Sequence, residues 1–177
     1  VDLKAFSDRF YYKICGGHLQ PVLETLEYIR HETDTWLELT TLLIPGENDS
    51  PEELEAMTGW LVEHLGPDVP MHFTAFHPDW KMRDIERTPA ATLSRARKIA
   101  LDNGVRYAYT GNVKDTEGGS TWCHPCGDLL IERNWHSLGR WGLDGQGACA
   151  ACGSHVAGYF ESGPGSGAQR PVRVRFS

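Results

Sequence analysis

Apolar positions along this chain gather into four dense segments, starting near Val1, Trp36, Met71 and Val105 and set about 35 residues apart. That interval suits a β-α repeat and is long for an array of hairpins. Three helix candidates lie between the segments. The first, about Pro21 to His31, puts Val22, Leu26 and Ile29 on one stripe. The second opens with Ser50 as N-cap, Pro51 at the first helical position and Glu53 completing a capping box. Leu54, Met57, Leu61 and Leu65 form its apolar face, and Gly66-Pro67 ends it. The third opens at Thr88-Pro89 by the same device, presents Leu93, Ala96, Ile99 and Ala100, and stops at Asn103-Gly104. Trp36 to Ile44 is nearly continuous in apolar and β-branched residues, as a parallel strand covered on both faces is. Met71 to Phe76 reads as another buried strand. Alternating strands and helices with right-handed crossovers predict an α/β fold on a parallel sheet. Four strands do not close a barrel, so the sheet is either open or part of a barrel whose other strands are absent.

Residues 1–112 are therefore read as one α/β domain, and Gly111 to Thr121 as a polar, glycine-bearing linker. Residues 121–158 are rich in Gly, Cys and Trp, with little helix or strand periodicity. Residues 159–177 read as a loose tail, Gly/Ser-rich from Ser162 to Gln169. Val172, Val174 and Phe176 then alternate with Arg173 and Arg175 as a short terminal strand does. The chain opens on Val1-Asp2-Leu3-Lys4 with no cap or turn before it, which is how a strand looks when its upstream half is missing. A fragment is expected.

Composition adds exclusions. At 177 residues, 40% hydrophobic and 23% charged, the chain suits one globular domain with a small appendage. A net charge of -7 offers no general basic surface to nucleic acid. No apolar run approaches the roughly 20 residues that span a bilayer, and no basic-then-apolar leader opens the chain. The expectation is a cytoplasmic location, without membrane or nucleic-acid partners.

Cysteine spacing changes the picture most. Cys123-His-Pro-Cys126-Gly and Cys149-Ala-Ala-Cys152-Gly are two C-x-x-C knuckles separated by 22 residues, the pattern of a zinc ribbon or a rubredoxin-like site. Each knuckle offers two thiolates from one tight turn, and the glycine after it permits the positive φ that aims backbone amides at sulfur. Four thiolates leave no open position, so tetrahedral Zn(II) in a structural role is predicted, with iron as the alternative. Trp122, Trp135 and Trp141 are the candidates for the module's small core, while His124, His136 and His155 are taken as bystanders. Asp128, Glu132 and Asp144 against Arg133 and Arg140 give this module the wrong balance for phosphate.

A second constellation lies at strand ends, where α/β folds place ligands. Asp2 and Lys4 share one side of the first segment, while Leu3 faces the other way. The second strand runs out into Ile44-Pro45-Gly46-Glu47-Asn48-Asp49, and the third into His77, followed by Asp79, Trp80 and Lys81. Such a rim would suit a zwitterionic or ribose-bearing ligand. The plainer alternatives are that Asp2 pairs with Lys4 and that His77 caps its strand. Trp80-Lys81 reads as a lid or a covered loop, and Cys15 as a buried thiol rather than a nucleophile.

These stretches also resemble a known family. Asp2-Leu3-Lys4, Ile44-Pro45-Gly46 followed by acids, and a third strand ending in His77 resemble the carboxyl-terminal half of radical SAM activating enzymes of the pyruvate formate-lyase activating type. FTAFHPDWKMRD, YTGNV and the two later knuckles look more specifically like the AmmeMemoRadiSam system radical SAM enzyme. The resemblance implies part of a (β/α)6 barrel that binds S-adenosylmethionine and a [4Fe-4S] cluster. It implies reductive cleavage of S-adenosylmethionine to a 5′-deoxyadenosyl radical, acting on a protein or small-molecule substrate that the residues do not choose. It also implies that Asp2, Leu3, Lys4 and His77 contact S-adenosylmethionine. The chain departs from the family in one respect: the cluster takes C-x-x-x-C-x-x-C, and no such spacing occurs here. Alone, the chain is expected to be inactive. A reading from another class is a non-catalytic zinc-binding interaction module; a third is a complete small α/β protein using His77 with Asp79 in acid-base work.

Overall fold

The computed structural model describes residues 1–135 and 137–160. His136, the Gly/Ser-rich stretch and the expected terminal strand lie outside the described residues. The chain divides into two compact units, Val1–Val113 and Lys114–Ser177.

In the first unit the helices are α1 (Asp8–Phe10), α2 (Leu19–Glu32), α3 (Pro51–His64) and α4 (Ala90–Asp102). The strands are β1 (Leu39–Leu43), β2 (Met71–Ala75) and β3 (Ala108–Gly111). They pair in parallel, in the order β1-β2-β3, with Leu39 beside Met71 and Met71 beside Ala108. The first apolar segment contributes one parallel bridge rather than a strand, Asp2 beside Thr40. Leu3 N–H donates to Thr40 O at 3.0 Å, and Thr40 N–H to Val1 O at 2.9 Å. Consecutive segments are thus neighbours throughout, and the order never reverses.

Pleating sends Leu39, Thr41, Leu43, Met71, Phe73, Ala75, Ala108 and Thr110 to one buried face. There the apolar residues meet Leu54, Met57 and Leu61 of α3 and Leu93, Ala96 and Ala100 of α4. Thr40, Leu42, His72, Thr74 and Tyr109 take the other face, and none of them is buried. This corrects the expectation that Trp36 to Ile44 is covered on both sides. A β-branched run containing Thr40 and Thr41 fits a half-wet pleat as well as a dry one.

Two cap assignments also change. Ser50 Oγ accepts from Glu53 N–H at 3.2 Å as expected, but the Glu53 carboxylate turns away to Phe6 N–H at 2.7 Å. Thr88 does not cap α4, whose N-cap is Pro89 with no side-chain bond. Its hydroxyl bridges two strand ends instead, accepting from Phe76 N–H at 2.9 Å and donating to Leu43 O at 2.5 Å.

The second unit opens with α5 (Thr116–Gly119), whose N-cap Asp115 accepts from Gly118 N–H at 2.9 Å. The stretch read as a linker is therefore partly folded. β4 (Thr121–Trp122), β5 (Leu129–Asn134) and β6 (Ser137–Trp141) form an antiparallel sheet that sequence periodicity did not reveal. The strands are short and their register shifts twice, at Thr121/Trp122 and between Ile131 and Arg133. The expected tryptophan core is also corrected. Trp135 sits at the hairpin tip at φ 58° and is 62% exposed, and Trp122 and Trp141 are only half-buried. Leu130, Ile131, Leu143 and Val156 are the buried aliphatic ones among the described residues of this unit, together with Cys123 and Cys149. Among the described residues no helix is long and apolar enough to cross a membrane.

Candidate functional site

The second unit brings all four knuckle cysteines together. Their sulfurs lie within 4.8 Å of one another, with Cys123 Sγ 3.6 Å from Cys152 Sγ and Cys126 Sγ 3.8 Å from Cys149 Sγ. Zn–S bonds of about 2.3 Å in a tetrahedron put sulfurs about 3.8 Å apart, so the donor set fits a tetrahedral thiophilic ion. Both knuckles close alike: Gly127 N–H donates to Cys123 O and Gly153 N–H to Cys149 O, each at 2.8 Å. The glycines sit at φ 74° and 72°, the left-handed turn that their lack of Cβ allows.

The loop before Cys149 is organised by Asp144. Its Oδ1 accepts from Gln146 N–H at 2.8 Å and Ala148 N–H at 2.9 Å, and these bonds, led by Ala148, lower its pKa. The thiols differ in environment. Cys123 and Cys149 are buried, Cys126 and Cys152 exposed. Burial pushes the Cys123 thiol up to about 12. The Ser154 hydroxyl beside Cys152, helped by the Ser154 amide, brings Cys152 down to about 6. Thiolate is the ligating form, so a metal must displace the Cys123 proton, while the Ser154 contacts favour the ligating form of Cys152.

In the first unit the parallel arrangement turns the carboxyl ends of all strands to one rim. Lys4, the Ile44–Asp49 loop, His77 and Asn112 follow these ends in order. Three side chains close the gaps where the strands part. Asn48, only 1% exposed, donates Nδ2 to Lys4 O at 2.6 Å and Leu42 O at 2.9 Å while Oδ1 accepts from Ile44 N–H at 2.7 Å. Thr88 joins β1 to β2 as described above, and Asn112 Nδ2 donates to Ala75 O at 3.3 Å. Neither the Asn48 bolt nor the Thr88 bridge is visible as chemistry in the sequence. Their only signal is a small polar residue at the edge of a strand-end loop.

Asp2 and Lys4 share the uncovered face and pair with each other, Lys4 Nζ to Asp2 Oδ2 3.2 Å, both about half exposed. Leu3 points the other way and is fully buried. Its N–H goes to Thr40, and its carbonyl accepts from Thr41 Oγ1 at 2.5 Å. The Tyr11 hydroxyl accepts from Lys4 N–H at 3.0 Å, and burial raises its pKa. His77 is exposed just beyond β2, with Nδ1 3.0 Å from Pro78 O. A carbonyl only accepts, so Nδ1 is the donor in this contact. Trp80 stands 75% exposed at φ 45°, with Lys81 Nζ 4.4 Å from the ring centroid, so it is no covered loop residue. Cys15 ends a π-helical turn, Tyr11–Cys15, and is exposed, contrary to the buried thiol expected.

No family model matches the chain. An uncharacterized protein of Methanocaldococcus jannaschii is 39% identical over 157 residues, covering 88% of this chain and 46% of that protein. The chain thus spans about half the length of the curated relative it matches. Among solved structures, a domain of pyruvate-formate lyase-activating enzyme from Bacteroides vulgatus superposes with a TM-score of 0.54 at 16% identity, over 63% of this chain and 65% of that one. At that identity the likeness is one of fold.

Proposed function

We propose that the chain is the distal, carboxyl-terminal part of a radical SAM enzyme of the activating type, with a structural Zn(II) module appended. On this reading β1 to β3 and the Asp2 segment are consecutive staves of a (β/α) barrel wall. Asp2, Lys4 and His77 meet S-adenosylmethionine at its rim, and Leu3 packs behind them. The observation that carries the reading is a parallel sheet wound without reversal, similar in fold to the activating-enzyme domain, whose helix-free face is unburied. A doubly wound sheet reverses its strand order; a barrel wall does not.

The residues fit the two groups differently. An acid, an ammonium and an imidazole complement the amino, carboxylate and hydroxyl groups of S-adenosylmethionine. The [4Fe-4S] cluster does not fit this chain: four cysteines are committed to the knuckles and Cys15 stands apart. The cluster ligands, the radical chemistry and the protein or small-molecule substrate therefore belong to a longer protein in this proposal. Zn(II) at Cys123, Cys126, Cys149 and Cys152 would cross-link the module and leave no position for a substrate. A second reading, a non-catalytic zinc-binding interaction module, draws support from the same thiol cluster, which is complete within the second unit.

Titration of the labelled chain with millimolar S-adenosylmethionine, followed by amide NMR, separates the two. Shifts at Asp2–Lys4 and His77 that vanish in Lys4→Ala are expected. No shift, or shifts confined to the cysteine unit, would favour the interaction module.

A further inference from the structure

The second knuckle carries a hydroxyl that the four-thiol count does not call for. Ser154 follows Cys152-Gly153, and its carbonyl accepts from Cys149 N–H at 2.9 Å. That bond closes the knuckle on itself and fixes residue 154 beside the sulfur two positions back. Ser154 Oγ lies 3.2 Å from Cys152 Sγ, within reach of a hydrogen bond to sulfur. A metal-bound thiolate has no proton to give. A serine hydroxyl both donates and accepts and turns freely about its C–O bond, so from this position it can donate to a thiolate without moving a heavy atom.

Position adds to the argument. Cys123 and Cys149 are shielded by the module's core, while Cys126 and Cys152 face solvent. An exposed thiolate is the one that protons and competing chelators reach first. Among the described residues, Cys152 is the knuckle sulfur with a side-chain hydroxyl beside it. Zn(II) with four thiolates carries a net charge of about -2, which a donor at the open edge disperses. Partners outside the ligand shell that hydrogen-bond a ligand hold it in its ligating form and orientation.

We propose that Ser154 is a positioning residue of the metal site, its hydroxyl donating to the Cys152 thiolate and holding that exposed ligand on the metal. This rests on the metal-site reading above. The test uses the full chain with Ser154→Ala and Ser154→Thr, loaded with Co(II) for spectroscopy and with Zn(II) for competition against a chelator. Ser154→Ala is expected to weaken Zn(II) on the order of ten-fold. It should also move the thiolate-to-cobalt charge-transfer band to lower energy, because a sulfur without its donor gives up charge more easily. Ser154→Thr, which keeps the hydroxyl, should restore both. An alanine variant with unchanged affinity and band overturns the role. So does a loss that threonine fails to restore, which would assign Ser154 to the turn rather than the sulfur. If the unsubstituted chain takes up no tetrahedral Co(II), the metal-site reading itself fails, an outcome distinct from either of these.

Discussion

Cys149→Ser is expected to empty the four-thiol site and unfold the residues around it, while the parallel unit stays folded. Among the described residues, four buried aliphatic side chains, Leu130, Ile131, Leu143 and Val156, are a small core for three short strands with two register shifts. A core of that size does not hold a module of this length by itself. A structural zinc contributes an apparent 10–16 kcal/mol or so at neutral pH, and one lost thiolate from the buried pair removes most of it. Zinc per chain should fall close to zero. In the amide spectrum, resonances from Cys123 to Val156 should collapse toward unfolded positions while those of β1 to β3 keep their dispersion. A strong chelator should do the same to the unsubstituted chain. Retained dispersion in Cys149→Ser would mean that side-chain packing, not metal, holds the module.

Asn48→Leu is expected to destabilise the parallel unit by about 3–5 kcal/mol. The substitution keeps the number and branching of side-chain heavy atoms but puts methyl groups where the amide made its bonds, so lost hydrogen bonds and some overpacking act in the same direction. Lys4 O and Leu42 O lose a donor and Ile44 N–H loses its acceptor in a site only 1% exposed. Each unsatisfied buried group costs about 1–3 kcal/mol, partly relieved where water can enter. Denaturant unfolding should show a lower midpoint at an unchanged slope, since the surface exposed on unfolding is the same. The rim should loosen with it, because the amide ties the strand end that carries Lys4 to β1. A loss below about 1 kcal/mol would show that water replaces the amide and that the strand ends need no bolt.

Much of the first unit was legible because its signals are local and agree with one another. Ser50-Pro51 announces α3, Gly66-Pro67 ends it, and Leu54, Met57 and Leu61 fall on one buried face. Which sheet face is dry was not legible, because Thr40, Leu42 and Thr74 are compatible with either. Glu53 and Thr88 were misassigned for one reason. A residue with good capping chemistry serves whichever unsatisfied backbone group tertiary folding brings near it, and here those groups belong to Phe6, Leu43 and Phe76. The thiol cluster was the most legible feature, since C-x-x-C spacing is enforced by the geometry of one turn. The sheet that carries it was nearly invisible: Leu129 to Asn134 and Ser137 to Trp141 alternate too weakly, and metal-supported strands have little need to alternate. Ser154 lay beyond reach because a serine two residues after a cysteine means nothing until its hydroxyl is seen beside the sulfur.

The most direct test of the proposed assignment is the metal and cofactor content of the chain purified without oxygen, with its absorbance recorded. The expected result is about one zinc per chain, no iron–sulfur absorbance, and no cleavage of S-adenosylmethionine under reduction. Stoichiometric iron and sulfide that support cleavage would contradict it, because the knuckle cysteines would then be cluster ligands and the structural zinc module would not exist.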